Sequence, residues 1–212
     1  MHRTLGVIVL GLAPLMAVLV NHASAQQQPA RTGTFFITSN GSGTGDVGGL
    51  AGADKMCQQL AKAIPGGANR TWRAYLSTSG QGSVSARDRI GNGPWYNVKG
   101  VLIANNVAEL HSDKANINND TALDETGKTI NSQGAPNRHD ILTGSTVEGR
   151  PTEMTCNNWT SSGPGAATLG HHDRLARGNP GSPWNSAHAS QGCSAANLVA
   201  TGGAVLLYCF AQ

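Results

Sequence analysis

The sequence predicts an α+β protein with a mainly antiparallel sheet, one main amphipathic helix and long loops. Three observations predict this class. Apolar residues recur at helical spacing in one early segment, and short segments typical of strands lie near both ends of the chain. Two long stretches between them are rich in Asn, Gly, Ser and Pro, which is typical of loops. No internal repeat is evident.

The predicted helix begins at Leu50. Its apolar face consists of Leu50, Ala53, Cys57, Leu60 and Ile64. The helix ends at Pro65-Gly66-Gly67, because proline disfavours helical geometry in the residue before it and glycine accepts a backbone reversal. Cys57 lies on the apolar face, so it can meet a core strand.

Four segments have the apolar or alternating pattern of strands. They are residues 33–39, 71–77, 98–104 and 204–210. The last of these is strongly apolar, so we expect it to be central in the sheet, with both faces covered. The long polar stretches at residues 105–140 and 157–192 are predicted to be functional loops.

The first 25 residues have the features of a secretory signal peptide. A basic amino-terminal stub precedes an apolar run at residues 5–20, and small residues at Ala23 and Ala25 form a cleavage site. The run contains Pro14 and is shorter than the ~20 apolar residues that span a bilayer, so a membrane anchor is disfavoured. The sequence therefore predicts a secreted, extracellular or periplasmic protein with no membrane span.

Cleavage after residue 25 leaves 187 of the 212 residues, which suits one domain. We expect a short linker at residues 26–32 and a single domain at residues 33–212. The processed chain keeps 14 of the 15 basic residues against 12 acidic ones, because only Arg3 is lost. A net charge of about +2 does not indicate a nucleic-acid partner, which usually requires a clustered basic face.

Four cysteines are present, and an even number in an exported chain favours disulfides over metal ligation or thiol catalysis. They are Cys57, Cys156, Cys193 and Cys209. Spacing alone leaves three pairings open. In the nested pairing, the first helix would be tied to the last strand, and a second bridge would close a late loop.

Several short segments, in order along nearly all of the predicted domain, carry a resemblance to a known family. They are residues 52–57, 71–77, 142–145, 149–150 and 155–160, followed by Cys193 and residues 207–210. This set resembles the endostatin-like branch of the C-type-lectin-like domains. The resemblance implies a C-type-lectin-like fold with adjacent terminal strands. It also implies two nested disulfides, Cys57 with Cys209 and Cys156 with Cys193.

Calcium-dependent C-type lectins bind sugars through acidic residues in the long loop and before the third cysteine. The corresponding elements here are Ala135-Pro136-Asn137 and Trp184-Asn185-Ser186, and both lack the acidic residue. Calcium requires several oxygen ligands with carboxylate charge. The sequence therefore predicts no cofactor, and a calcium site would need Asp140 or Glu148 as a substitute.

The resemblance also places Arg87, Arg89 and Arg150 where part of the heparin-binding basic cluster of endostatin-like proteins would lie. The near-neutral charge of the chain weakens attraction to a polyanion, so solvated surface charges are an equal interpretation. The amino-terminal zinc site of that family has no counterpart, because residues 26–33 contain no histidine. Trp95 and Trp184, set among Pro, Gly and Asn, are candidate stacking platforms for a sugar or a partner.

The run His171-His172-Asp173 is the best metal-binding or catalytic cue outside the resemblance. Adjacent residues on a strand point to opposite faces, so one ion would need a loop conformation and further ligands such as His139 or His188. Exposed loop histidines are the alternative interpretation. Neither H-E-x-x-H nor G-x-S-x-G is present, so the sequence predicts no metal site and no enzyme.

We therefore expect a non-enzymatic, lectin-like module that recognises a glycan or a protein on a cell surface or in the envelope. The long-loop face would supply the ligand-binding residues, which are Asn137, Asp140, Trp184 and Asn185. One alternative is a metal-dependent hydrolase using His171, His172 and Asp173. Another is a structural envelope or adhesion protein without a small ligand.

Overall fold

The computed structural model describes His2, residues 32–176 and residues 179–212. The predicted signal peptide, apart from His2, lies outside the described residues. The predicted linker also lies outside them, apart from residue 32. Within the described part of the chain, no helix has the length and apolar character needed to cross a membrane.

The described residues form ten strands, four helices and three short 3-10 turns. The strands are β1 (Phe35–Ile37), β2 (Trp72–Ala74), β3 (Trp95–Tyr96), β4 (Leu102–Ala104), β5 (Asp140–Leu142), β6 (Thr168–His171), β7 (Leu175–Ala176), β8 (Asn179–Pro180), β9 (His188–Ala189) and β10 (Gly203–Ala211). The helices are α1 (Gly49–Leu60), α2 (Val107–Leu110), α3 (Cys156–Trp159) and α4 (Ala195–Thr201). The 3-10 turns are Ala61–Ala63, Gly67–Asn69 and Ala86–Asp88.

Strand β10 organises the main sheet. It pairs antiparallel with β1 and β2 and parallel with β5, and the order along the sheet is β1-β10-β5-β6-β9. The other pairs of this sheet, β5 with β6 and β6 with β9, are antiparallel. The predicted mainly antiparallel sheet and the adjacent terminal strands are therefore confirmed.

Both faces of β10 are buried. Leu207, Cys209 and Ala211 belong to one hydrophobic cluster. Their neighbours in sequence, Leu206, Tyr208 and Phe210, belong to a second cluster on the other face. Successive side chains of a strand point to opposite faces, so this segment has to be apolar at every position. The predicted central position of this strand is confirmed.

Helix α1 covers the first face of the sheet. Its buried residues are Ala53, Asp54 and Cys57. The Asp54 side chain also binds the next element, because its Oδ1 accepts a hydrogen bond of 2.9 Å from the backbone N–H of Ala74 in β2. The helix ends four residues earlier than its apolar pattern suggested, and a 3-10 turn at Ala61–Ala63 completes the segment before Pro65.

The two long loops cover the second face. The second hydrophobic cluster includes Trp95 and Ile103, which precede the first loop, and Ile117 within that loop. Trp184 joins the cluster from the second loop. Gly170 in β6 permits the close approach of the second loop, because a Cβ at this position would overlap the Trp184 carbonyl oxygen. Loops therefore form the second layer of this domain.

Two disulfides join the layers, and both match the nested pairing. The bridge between Cys57 and Cys209 connects α1 to β10 across 152 residues of sequence. The bridge between Cys156 and Cys193 spans 37 residues and connects α3 to the segment before α4. Helix α4, which the sequence analysis missed, begins after Ser194, whose side chain accepts a hydrogen bond from the N–H of Asn197.

The two disulfides are expected to differ in their contribution to stability. Replacing both Cys57 and Cys209 with alanine should lower the free energy of unfolding by about 5 kcal/mol, and replacing Cys156 and Cys193 by about 4 kcal/mol, because the longer ring restricts the unfolded chain more. Urea denaturation of the two double variants measures both values. A larger loss for the Cys156 and Cys193 variant would show that native packing, rather than ring size, sets the difference.

Candidate functional site

The two long loops meet in a cleft beside the loop-covered face of the sheet. The cleft has a volume of about 290 Å³. His111 and Asp113 line it from the first loop, and Arg174 and Pro183 line it from the second. Val147, which is 44% exposed, lies in the connection between β5 and β6 and also lines the cleft. Two of the four loop residues that the sequence predicted to bind a ligand, Trp184 and Asn185, also line this cleft.

A hydrogen-bonded network fixes one side of this cleft. The Nδ1 of His111 lies 2.7 Å from the carbonyl oxygen of Val107, so Nδ1 carries the proton and Nε2 accepts a hydrogen bond from the Tyr75 hydroxyl at 2.8 Å. The Tyr75 oxygen in turn accepts a hydrogen bond of 2.9 Å from Nδ2 of Asn185. Burial lowers the pKa of His111 and raises that of Tyr75, so both groups are neutral near pH 7. These groups therefore form a rigid, uncharged support.

The charged groups of the cleft lie above this support. Arg174 is half-buried, and its Nη1 lies 3.4 Å from the carbonyl oxygen of Ala115. Asp113 is exposed. A guanidinium, a carboxylate and the apolar surface of Val147 and Pro183 therefore lie around one opening. A small number of polar groups on the partly apolar wall of a cleft is typical of sites that bind small molecules.

The expectation that Trp95 and Trp184 are exposed stacking platforms is wrong. Trp95 is fully buried and donates from Nε1 to the carbonyl oxygen of Ala211. Trp184 is 3% exposed, and its ring packs 4.7 Å from Tyr75 and 5.1 Å from Tyr208. Both rings help to fill the second face of the sheet, to which the short helix α2 also contributes Leu110.

The other predicted loop residues do not share one surface. Asn185 is buried, and its amide donates to the carbonyl oxygens of Thr146 and Val147 at 3.1 Å in addition to Tyr75. Asn137 is half-buried, and its Oδ1 accepts a hydrogen bond from the backbone N–H of His139. Asp140 is 1% exposed within β5. Asn185 therefore supports the cleft from below.

The three predicted arginines have different surroundings. The Arg89 guanidinium is engaged in internal hydrogen bonds. It donates to Oδ2 of Asp54 at 2.7 Å and to the carbonyl oxygen of Ala74 at 2.6 Å. Arg87 donates to the carbonyl oxygen of Glu148, and Arg150 is exposed at the end of the same turn. Arg150 thus lies in the turn at residues 146–150 and Arg87 contacts this turn, while Arg89 belongs to the interface of α1 with β2.

A second site is a cluster of histidines around the buried carboxylate of Asp140. Oδ1 of Asp140 lies 3.1 Å from Nε2 of His171, 3.2 Å from Nε2 of His139 and 3.5 Å from Nε2 of His188. None of these contacts has hydrogen-bond alignment, so both carboxylate oxygens lack a hydrogen-bond partner. Nε2 of His171 lies 2.8 Å from Nε2 of His188. Among the described residues, one group that could hold a metal ion is Asp140, His171 and His188, and another is His139, His171 and Asp173.

The sheet register builds this cluster. Asp140 in β5 lies directly opposite His171 in β6, and His188 in β9 lies opposite Leu169, two residues before His171. Direct and diagonal cross-strand neighbours share one face of a sheet, so the three side chains converge. Gly202 lies next to them with a φ of +122°, and a Cβ there would lie 3.2 Å from Nε2 of His139.

The hypothetical trio of His171, His172 and Asp173 does not form one site. The ring of His172 is fully buried, belongs to neither candidate metal group, and has two nitrogens without hydrogen-bond partners. Burial lowers the pKa of His172, so it is neutral. Its neighbour His171 faces Asp140 instead, because the strand alternates and the two imidazoles diverge.

The carboxylates set the electrostatics of the cluster. Burial alone would lower the pKa of His139, but the adjacent Asp140 and Asp173 outweigh it and raise that pKa to about 9. Burial alone would raise the pKa of Asp140, but the three surrounding imidazoles hold it well below its usual value. The proximity of Asp140 raises the pKa of His188. The cluster therefore contains an ionised carboxylate at its centre.

The family model described as Collagenase NC10 and Endostatin matches residues 35–199. This chain belongs to the endostatin family. The match covers most of the chain and confirms the resemblance that the sequence motifs indicated. No curated protein matches the chain significantly.

In this endostatin-family chain, the segments that carry the resemblance build the frame. Residues 52–57 lie in α1, residues 71–77 contain β2, and residues 155–160 contain α3. None of the residues of the Asp140 cluster lies in those segments. Membership in the endostatin family therefore establishes the fold, whereas function has to be argued from the cleft and the cluster.

The contact of Asp54 with Arg89 is expected to be important for stability. Asp54→Ala should lower the free energy of unfolding by about 3 kcal/mol, because it leaves the Arg89 guanidinium unpaired with a side chain that is 11% exposed. Glu153→Ala, which removes an exposed carboxylate, should change it by less than about 0.5 kcal/mol. Urea denaturation monitored by tryptophan fluorescence measures both. Equal effects of the two substitutions would contradict a structural role for Arg89.

Proposed function

We propose that this endostatin-family chain is a secreted or periplasmic, non-enzymatic lectin-like module that binds a glycan of a cell-surface or envelope partner. The observation that carries this proposal is the cleft between the two long loops. Its volume of about 290 Å³ is near the lower end of the ~300–1,000 Å³ found for small-ligand sites. A cleft of this size suits one or two sugar units rather than a large cofactor.

The chemistry of the cleft supports a sugar ligand. Sugar hydroxyls both donate and accept hydrogen bonds, and the cleft offers the Arg174 guanidinium as a donor and the Asp113 carboxylate as an acceptor. The apolar C–H faces of a sugar ring can pack against Val147 and Pro183. The rigid support beneath them reduces the entropy lost when the ligand binds.

The disulfides support an extracytoplasmic location. Both bridges are buried, and together they connect α1, α3 and β10. Disulfides form and persist in the periplasm and outside the cell, whereas cytosolic thiols are kept reduced. The signal-peptide pattern at residues 1–25 agrees with export. The glycan would then belong to an envelope or a neighbouring cell surface.

Arg174→Ala is expected to weaken glycan binding by about tenfold or more, because a hydrogen bond to a charged group contributes about 1.5–3 kcal/mol. A glycan array of the purified protein first identifies a bound saccharide, and calorimetry with that saccharide then measures the affinities. Lys62→Ala, an exposed cation after helix α1, is the matched control and should bind like the wild type. Binding to no saccharide, or equal binding by Arg174→Ala, would contradict the proposal.

The same array separates the cleft from the basic turn. If only sulfated glycans bind, and the double variant Arg87→Ala, Arg150→Ala abolishes their binding while Arg174→Ala does not, then Arg87 and Arg150 form the site. That result would move the site from the cleft to the turn at residues 146–150. Binding that depends on Arg174 alone supports the cleft.

A further inference from the structure

We propose that Asp140, His171 and His188 form a binding site for a divalent transition-metal ion of the zinc type. The proposal concerns a different set of residues from the glycan cleft and stands independently of it. It rests on the distances between the three ligand atoms, on the proton positions of the two imidazoles and on the buried Asp140 carboxylate.

The three ligand atoms have the spacing that a small metal ion requires. The distances among Oδ1 of Asp140, Nε2 of His171 and Nε2 of His188 are 2.8, 3.1 and 3.5 Å. Zinc binds nitrogen and oxygen ligands at about 2.0–2.1 Å in tetrahedral geometry, which separates the ligand atoms by roughly 3.3 Å. The three atoms therefore already lie on one side of a coordination sphere of this size.

The backbone fixes both imidazoles in the form that binds metals. Nδ1 of His171 contacts the carbonyl oxygen of Leu175, and Nδ1 of His188 lies 3.1 Å from the carbonyl oxygen of Ala189. A carbonyl oxygen only accepts, so each Nδ1 carries its proton. In the neutral rings, both Nε2 lone pairs then point toward each other at 2.8 Å. Two lone pairs at this distance repel each other unless a proton or a metal ion lies between them, and only a metal ion would also bind Oδ1 of Asp140.

The Asp140 carboxylate is the third, independent indication. Its side chain has no solvent exposure, and neither oxygen has a hydrogen-bond partner. A buried carboxylate without hydrogen bonds is costly, and such groups are usually paired or coordinate a metal. His139 contacts Asp140 on one side and Asp173 on the other, at 3.2 and 3.4 Å, so it can orient the carboxylate as an outer-shell partner.

The ligand types favour zinc over calcium. Two imidazole nitrogens and one carboxylate suit zinc and similar transition metals, whereas calcium takes six to eight oxygen ligands. The side chain of His188 is 37% exposed, while those of His171 and Asp140 are 4% and 0% exposed. An ion can therefore enter beside His188. Three protein ligands leave at least one coordination position for water on that side.

Such an ion would connect three strands. Asp140, His171 and His188 belong to β5, β6 and β9, and the loop between β6 and β9 carries Arg174 and Pro183 of the cleft. A ligand that binds only the folded state stabilises it by mass action. Zinc is therefore expected to raise the melting temperature of the protein and to hold both ends of this loop.

The experiment uses the purified protein without a polyhistidine tag, freed of metal by a chelator and then titrated with Zn²⁺ by calorimetry. We expect one Zn²⁺ per chain, and Co²⁺ in its place should give visible absorption bands with nitrogen and oxygen ligands. His188→Gln should weaken Zn²⁺ affinity by more than about 100-fold, because even outer-shell substitutions cost 10- to 100-fold. Asp140→Asn should do the same.

The control is Asp120→Asn, the same substitution as Asp140→Asn in an exposed carboxylate outside the cluster. This variant should still bind one Zn²⁺ with wild-type affinity. Near-ultraviolet circular dichroism checks that His188→Gln is folded, which its partly exposed position favours. The proposal is overturned if the wild type binds no Zn²⁺, or if His188→Gln binds Zn²⁺ as tightly as the wild type. A rise in melting temperature with Zn²⁺ that persists in His188→Gln would also contradict it.

Discussion

The structure depends on burying strand β10 on both faces. Leu207 and Cys209 face helix α1, and Tyr208 and Phe210 face the opposite side. A single helix can cover only one face of a sheet, so another layer has to exclude water from the second. The long loops provide it, and Trp184 is consequently part of the core. The cleft where the two loops meet stays open at the surface of this layer.

Local sequence patterns were sufficient to predict the elements whose apolar residues follow a simple repeat. Helix α1 has a repeating apolar face, and β10 is apolar at every position, so both could be predicted. Helix α4 has only seven residues and lacks a strong apolar face, and the Ser194 cap was its only clear signal. The burial of Trp184 could not be predicted, because a polar neighbourhood in sequence does not reveal that the loop folds back onto the sheet.

The Asp140 cluster shows a different limit of sequence reasoning. His171 and His172 were paired as candidate ligands because they are adjacent in sequence. The side chains of neighbouring residues in a strand, however, point to opposite faces. The residues that meet His171 are distant in sequence, and the register of β5, β6 and β9 brings them together. His139 and His188 could be named as possible additional ligands. Asp140 could be named as a substitute calcium ligand and as a ligand-binding residue of the long-loop face, but not as a partner of His171, because its cross-strand position opposite His171 is a property of the sheet.

The charges of the cluster define what its centre needs. Asp140 and Asp173 are two buried carboxylates, and the His139 ring lies between them, 3.2 Å from the first and 3.4 Å from the second. Even a protonated His139 could not neutralise both carboxylates, and burial makes a residual negative charge costly. A proton shared by His171 and His188 would join only two of the three converging atoms. A metal ion joins both nitrogens and the Asp140 oxygen at once, so it satisfies the geometry and the charge together.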